Sequence, residues 1–189
     1  MPDNAIDRVH YFTARVKPTP DDQTKNVRQQ TFIRALETLP EIQVTYGSFL
    51  RQAKKMPLAP ARRGRADDKR AGVVSLKKDG PKAAIVWHME EKGSDVNIAA
   101  RLVSDAFCKR FEAAAVLSAD SDLALAIELV TNEARRPVGV IFPKHRKSVR
   151  LDAIASFRKT ITTALLKECQ FPDEIEDAQG RTIRKPAEW

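Results

Sequence analysis

Apolar residues recur along the chain with two different periods, and the switches between them predict its elements. Residues 8–16, RVHYFTARV, alternate apolar and β-branched positions ahead of Pro18 and Pro20, which reads as a strand running into a loop. From about Thr24 to Leu39, the residues Val27, Phe32, Ile33, Leu36 and Leu39 recur at helical spacing until Pro40 stops the run. IQVTYGSFL, residues 42–50, returns to a strand, and VVSLK (73–77) pairs with AAIVWHM (83–89) as a hairpin about Asp79, Gly80 and Pro81. Ser94 is placed as the N-cap of an amphipathic helix to about Phe111, carrying Val96, Ala99, Ala100, Val103 and Phe107 on one side. AAAVLS, residues 113–118, is uniformly apolar and reads as a central parallel strand covered on both faces. Leu123, Ile127, Val130 and Ala134 mark the next helix. VGVIF at 138–142 repeats the buried-strand pattern, and Ser148 caps a helix turning Leu151, Ile154 and Phe157 to the core.

Strand and helix therefore alternate, the pattern of an α/β layer fold with right-handed crossovers. The last stretch, from about 168 to 189, has no strong period and reads as an extension wrapped on the surface. A chain of 189 residues, 42% apolar and with a mean hydropathy of −0.41, fits a single globular domain over 1–189. Surface scaling buries about 70% of an unfolded chain of this size. No window approaches 18 apolar residues and no apolar run follows a basic start, so neither an anchor nor a signal peptide is expected. Two cysteines, Cys108 and Cys169, support neither a disulfide framework nor a four-ligand zinc site, and Cys108 is expected to pack as a small hydrophobe. A reducing cytoplasm fits.

Charge sharpens the picture. The net charge is +8, and residues 51–70 alone hold eight basic and two acidic side chains, a surplus of six. This basic loop, with Lys54, Lys55, Arg62, Arg63 and Arg65, and a second cluster containing Lys144, His145, Arg146, Lys147 and Arg150, suit a phosphate backbone; a solvated mobile loop is the plainer reading of the first. His10 and His88 lie inside strands and read as packing or surface histidines, and Trp87 and Tyr46 as packing residues. Neither GxGxxG nor GxxxxGK[ST] occurs, which weakens nucleotide-cofactor chemistry.

The acids carry the candidate chemistry. In an open parallel sheet, ligands bind beyond the carboxyl ends of the strands. Glu90, Glu91, Lys92 and Asp95 follow AAIVWHM, and Asp120 and Asp122 follow AAAVLS. Asp95, Asp120 and Asp122 each fall at a helix start, where an acid caps free amides and complements the dipole. Together, on converging turns, they repel one another by roughly 4 kcal/mol per pair at 4 Å and an effective dielectric near 20. A hard cation, Mg²⁺ or Mn²⁺, relieves that repulsion and activates water for attack on phosphorus, with Lys92 as a point charge on a phosphate oxygen.

On EEKGSDVNIA (90–99) and LSADSDLALAIELV (117–130), supported by YFTAR at 11–15 and RQQTFIRALETLP, the chain resembles the NYN domain, a branch of the PIN-like metal-dependent ribonucleases. The resemblance spans nearly the whole chain. It implies a Rossmann-like, PIN-like three-layer sandwich with a mostly parallel central sheet, cleavage of RNA phosphodiesters, and Mg²⁺ or Mn²⁺ as cofactor. Asp95 matches the acid of the family's lysine-glycine-x-aspartate turn, and Asp120 and Asp122 its serine-x-aspartate-x-aspartate turn, with Lys92 and Ser118 in the accompanying positions. The departure is at the start. The family opens with an apolar strand ending in aspartate, and this chain has only MPDNAID before the YFTAR strand. A first strand missing from mid-sheet predicts that RVHYFTARV and AAAVLS lack a partner, and that one metal-ligating acid is gone. The expectation is a shortened product with impaired catalysis, or a start codon set too far downstream. A ribonuclease, a noncatalytic RNA-binding or regulatory module on the same fold, and a structural α/β domain whose aspartates merely cap helices are the three readings. RNA is the expected partner, with a homo-oligomer left open and no membrane.

Overall fold

A computed structural model describes residues 5–19, 22–57 and 83–187. Two compact units emerge, one of Met1–Phe49 with Glu91–Trp189 and one of Leu50–Glu90.

In the larger unit, β1 (Val9–Ala14) pairs in parallel with β2 (Ile42–Pro57), joined by α1 (Lys25–Leu36). The crossover through a helix is what parallel pairing requires. β2 runs on past Phe49 into the smaller unit, where β3 (Ala83–Lys92) is its neighbour, giving the order β1-β2-β3. The hairpin partner expected for residues 83–89, at 73–77, lies outside the described residues. α2 (Ser94–Phe107) then leads to a second sheet, β4-β5-β6, made of β4 (Ala114–Leu117), β5 (Val138–Phe142) and β6 (Phe157–Thr160), all parallel. Between these strands run α3 (Ala124–Asn132) and α4 (Val149–Ile154). After β6 come α5 (Thr163–Glu168) and an antiparallel pair, β7 (Glu174–Glu176) and β8 (Thr182–Arg184).

The core gathers on the second sheet. Val138, Val140 and Phe142 of β5, Ile127 and Val130 of α3, and Leu151 of α4 are essentially closed to solvent. β5 is flanked by strands on both sides and buried along most of its length, as its continuous apolar run predicts. Gly139 faces Phe157 across the β5–β6 ladder, and a Cβ built there would sit 2.0 Å from the Phe157 ring, so the aromatic edge occupies the space a side chain would need.

Several expectations are revised. The fold is α/β with parallel strands, but β1 and β4 belong to separate sheets, and no ladder joins them among the described residues. β4 is not covered on both faces: Val116 on one face is buried, whereas Ala115 is exposed and Leu117 59% exposed on the other. β3 is not a buried strand either, since Ile85, Trp87 and Met89 all face solvent. Phe157 lies in β6 rather than in a helix; α4 stops at Ile154, where Ala155 turns extended. The C-terminal stretch carries the β7–β8 hairpin, with Ile183 buried. Cys108 caps the end of α2 and is exposed, so it does not pack as a core hydrophobe, and Cys169 is exposed too. No helix among the described residues is long and apolar enough to cross a membrane.

Candidate functional site

Asp95 enters on the first turn of α2. Gly93 stands at the N-cap with φ 94°, a left-handed conformation that glycine accepts without steric penalty, and this sharp turn swings the chain from β3 into the helix. Ser94, expected as the cap, is the first helical residue, and its hydroxyl donates to Glu91 Oε1 instead. Asp120 caps a 3₁₀ turn, Ser121–Leu123, that opens α3: its Oδ1 accepts the amide of Asp122 at 3.0 Å, and its own amide donates to Ser118 Oγ at 3.0 Å. The capping role is therefore real for Asp120. Leu123, fully buried beneath this turn, anchors it to the core, and α2 packs against the turn.

The two turns do approach each other. The Asp95 carboxyl is pushed above its ordinary value, first by partial loss of solvent around the carboxyl and then by the negative charges of Asp120, Glu91 and Asp122. Glu91 was recognised in the sequence as part of the acidic turn but not as a site residue. Its place beside Asp95 follows from the tight Gly93 turn. Oxygen donors of this kind suit Mg²⁺ or Mn²⁺, and mutual carboxylate repulsion is what a divalent cation relieves. The convergence is incomplete, however: among the described residues, no three His, Cys, Asp or Glu side chains are grouped to hold a metal ion. The donor chemistry fits the cation, while the carboxylates stand apart as a cluster rather than as a closed shell.

Lys92 ends β3 and is exposed. Lys144, Arg146 and Lys147 follow β5, at the same carboxyl edge of the second sheet as Asp120 and Asp122, which follow the parallel strand β4. Lys144 donates to Thr163 Oγ1, and Lys147 pairs with Asp152 at 3.1 Å, so both carry local partners. Lys54 and Lys55 lie exposed on β2 in the smaller unit, within a strand rather than a loop. Arg62, Arg63 and Arg65 lie outside the described residues.

Two features went unforeseen. Asp105 on α2, 6% exposed, is the one buried charge among the described residues. Its carboxylate accepts from Arg110 Nη1 at 2.7 Å, lies 3.4 Å from His10 Nε2 of β1, and lies 3.7 Å from Arg101. Burial outweighs the pull of Asp105 and, with the charges of Arg101 and Arg8, holds the His10 imidazole below its usual value. Beside this joint is a cavity of about 300 Å³ lined by Phe12, Thr45, Asn97, Ala100, Arg101 and Ser104. Its polar lining contains no acid, which suits an acceptor-rich group. The second feature is Trp87, which is 66% exposed rather than packed, with the Arg51 guanidinium 4.4 Å over its ring. The sequence reading takes Trp87 as a packing residue; the alternation of Ile85, Trp87 and Met89 puts the three on one side of β3, where all are exposed.

No family model matches the chain. Over 108 residues it is 31% identical to the 6-hydroxy-3-succinoylpyridine 3-monooxygenase HspA of Pseudomonas putida (strain DSM 28022 / S16), an alignment covering 54% of this chain and 34% of that protein. The chain thus spans about a third of that relative's length. Among solved structures, a protein of unknown function from Vibrio parahaemolyticus RIMD 2210633 aligns over 83% of this chain and 94% of its own, at a TM-score of 0.37 and 13% identity.

Proposed function

We propose that this chain is a metal-dependent ribonuclease of the NYN type, in which Asp95, Asp120 and Asp122 hold Mg²⁺ or Mn²⁺ and the basic segments bind RNA. The observation that carries this reading is electrostatic. Asp95 at the start of α2 and the Asp120/Asp122 pair at the start of α3 are near enough for the pair's charges to raise the Asp95 carboxyl, although they lie 25 residues or more apart in the chain. Carboxylates at the heads of two packed helices, close enough for Asp95 to feel the charges of Asp120 and Asp122, are relieved by a counter-ion. A bound divalent ion supplies an activated water and charge stabilisation of a leaving oxygen. The residues of the chain do the rest: Asp120 stays fixed by the Asp122 amide, Leu123 roots the turn, and Lys92 supplies a positive charge at the end of β3 for a phosphate oxygen.

The test is cleavage of single-stranded RNA with Mg²⁺ or Mn²⁺. Asp120→Asn keeps a cap-competent oxygen but removes a charge, so cleavage is expected to disappear while RNA binding stays or tightens. Unchanged cleavage in that variant removes the assignment. Two observations favour a second reading, a noncatalytic RNA-binding module on the same fold: the carboxylates do not group as ligands among the described residues, and β1 and β4 share no ladder. That reading expects RNA binding without turnover at any metal concentration. The activity named for the Pseudomonas relative stays with that protein, of which the match covers 34%.

A further inference from the structure

Among the described residues of the smaller unit, β2 and β3 carry a set of exposed side chains that includes a large aromatic ring. Side chains alternate along a strand, so Arg51, Ala53 and Lys55 of β2 point to one side, as do Ile85, Trp87 and Met89 of β3. The Arg51 guanidinium carbon lies 4.4 Å over the Trp87 ring, which places both sets on the same face. All six residues are exposed, Ile85 at 77% and Trp87 at 66%; on the opposite side Ala84, His88 and Glu90 are half-buried, while Val86 and the β2 residues Gln52, Lys54 and Met56 are exposed as well. Between Leu50 and Glu90, no acid lies on the exposed side among the described residues. An indole 66% open to water, with the Arg51 guanidinium over its ring and Lys55 on the same strand face, is an unusual use of a large apolar side chain.

We propose that this face is a stacking platform for single-stranded RNA. An unstacked base adds its π face to the Arg51–Trp87 pair, and Lys55, four residues further along β2, meets a flanking phosphate. Bases within a duplex are already stacked and present only their edges, so the platform selects single strands. A second copy of this chain is a poor occupant, because Arg51 and Lys55 would face their own counterparts. The inference rests on the RNA reading above and adds to it the residues that choose the form of RNA.

Binding of a labelled single-stranded oligouridine, and of a duplex of equal length, is measured by anisotropy for the full chain and for Trp87→Ala and Trp87→Phe. Loss of one stacked base weakens binding by roughly 5- to 150-fold. Trp87→Ala is therefore expected to weaken the single strand by that factor and leave the duplex unchanged, while Trp87→Phe retains most of the affinity. In a Trp189→Phe background, the remaining indole emission is expected to be quenched as the single strand binds, a readout that does not depend on the alanine variant. Equal single-strand affinity for wild type and Trp87→Ala, or no quenching at saturation, overturns the platform while leaving the RNA reading standing. Wild-type protein that binds no RNA overturns both. A Trp87→Ala variant that loses self-association instead of RNA affinity shows the face to be a contact between copies and overturns the platform.

Discussion

Replacing Asp105 with Asn is the most direct probe of how the larger unit is held together. The substitution keeps the volume and one acceptor oxygen, so no cavity opens, and what disappears is the charge that faces Arg110 at 2.7 Å, His10 at 3.4 Å and Arg101 at 3.7 Å. Removing one member of a fully buried ion pair costs about 3–5 kcal/mol because the other charge is left stranded. Here the Arg110 and Arg101 side chains are 51% and 39% exposed and recover water, so the loss reduces to that of a charge-assisted hydrogen bond, about 2 kcal/mol. For a chain of this length that lowers Tm by about 4–8 °C, measured by calorimetry or circular dichroism at pH 7.5. The same experiment run against pH reads His10. Its folded pKa lies below the unfolded 6.5, so as pH falls through 6.5 the unfolded chain takes up the proton first, and stability declines from there down to the lower folded value. Loss of the Asp105 charge, which pulls the imidazole upward, carries that decline to lower pH in the variant. A Tm within 1 °C of wild type, with an unaltered pH profile, would refute the view that this carboxylate joins β1 to α2.

Three further outcomes follow from the packing and the charges. Asp177 accepts the amides of Gln179 and Arg181 at 3.0 and 2.9 Å and the guanidinium groups of Arg181 and Arg34 at 2.8 and 3.0 Å, which together pull its carboxyl from 3.8 down to about 2. Its contribution is thus complete above pH 3.8 and lost as pH falls toward 2, and a thermal titration from pH 5 to 2 is expected to flatten over that window in Asp177→Asn. Gly139→Ala drives a methyl into the Phe157 ring and is expected to destabilise by about 1–3 kcal/mol, measured by urea unfolding; a neutral result would mean that β6 moves freely away from β5. Finally, if the basic segments meet about four phosphates, the logarithm of RNA affinity falls with log salt at a slope near 3, and deleting residues 58–70 without altering that slope removes the segment from the interface.

Much of the architecture can be read from periodicity because burial and period coincide. VGVIF is apolar throughout because both faces of β5 are covered, and Leu123, Ile127 and Val130 recur because α3 and the 3₁₀ turn before it pack into the same core. The failures have a common cause: an apolar run tells of apolar surface, not of what covers it. AAAVLS reads as a central strand covered on both faces and Trp87 of AAIVWHM as a packing residue, yet Leu117 of β4 and Trp87 of β3 are both exposed, since nothing among the described residues packs over either side chain's face enough to close it. β6, α5 and the β7–β8 hairpin are only three to six residues long, too short for either period to show. The acidic cluster was legible as three carboxylates at helix starts, and Asp95 does feel Asp120 and Asp122. Asp105 was not, because its partners, His10, Arg101 and Arg110, are assembled by tertiary packing from residues that look unremarkable in sequence.

The separation of β1 and β4 into different sheets has a mechanical meaning. A peptide ladder transmits force through main-chain bonds whatever the residues are, whereas among the described residues no ladder joins these two sheets and α2 touches both sides by side chains, through the Asp105–His10 contact to β1 and its packing on α3. A seam of that kind can be loosened or stiffened one codon at a time, without disturbing either sheet. The spacing between the acids at the head of α2 and those at the head of α3 is therefore a quantity that substitution can tune, where a continuous sheet would have held it rigid.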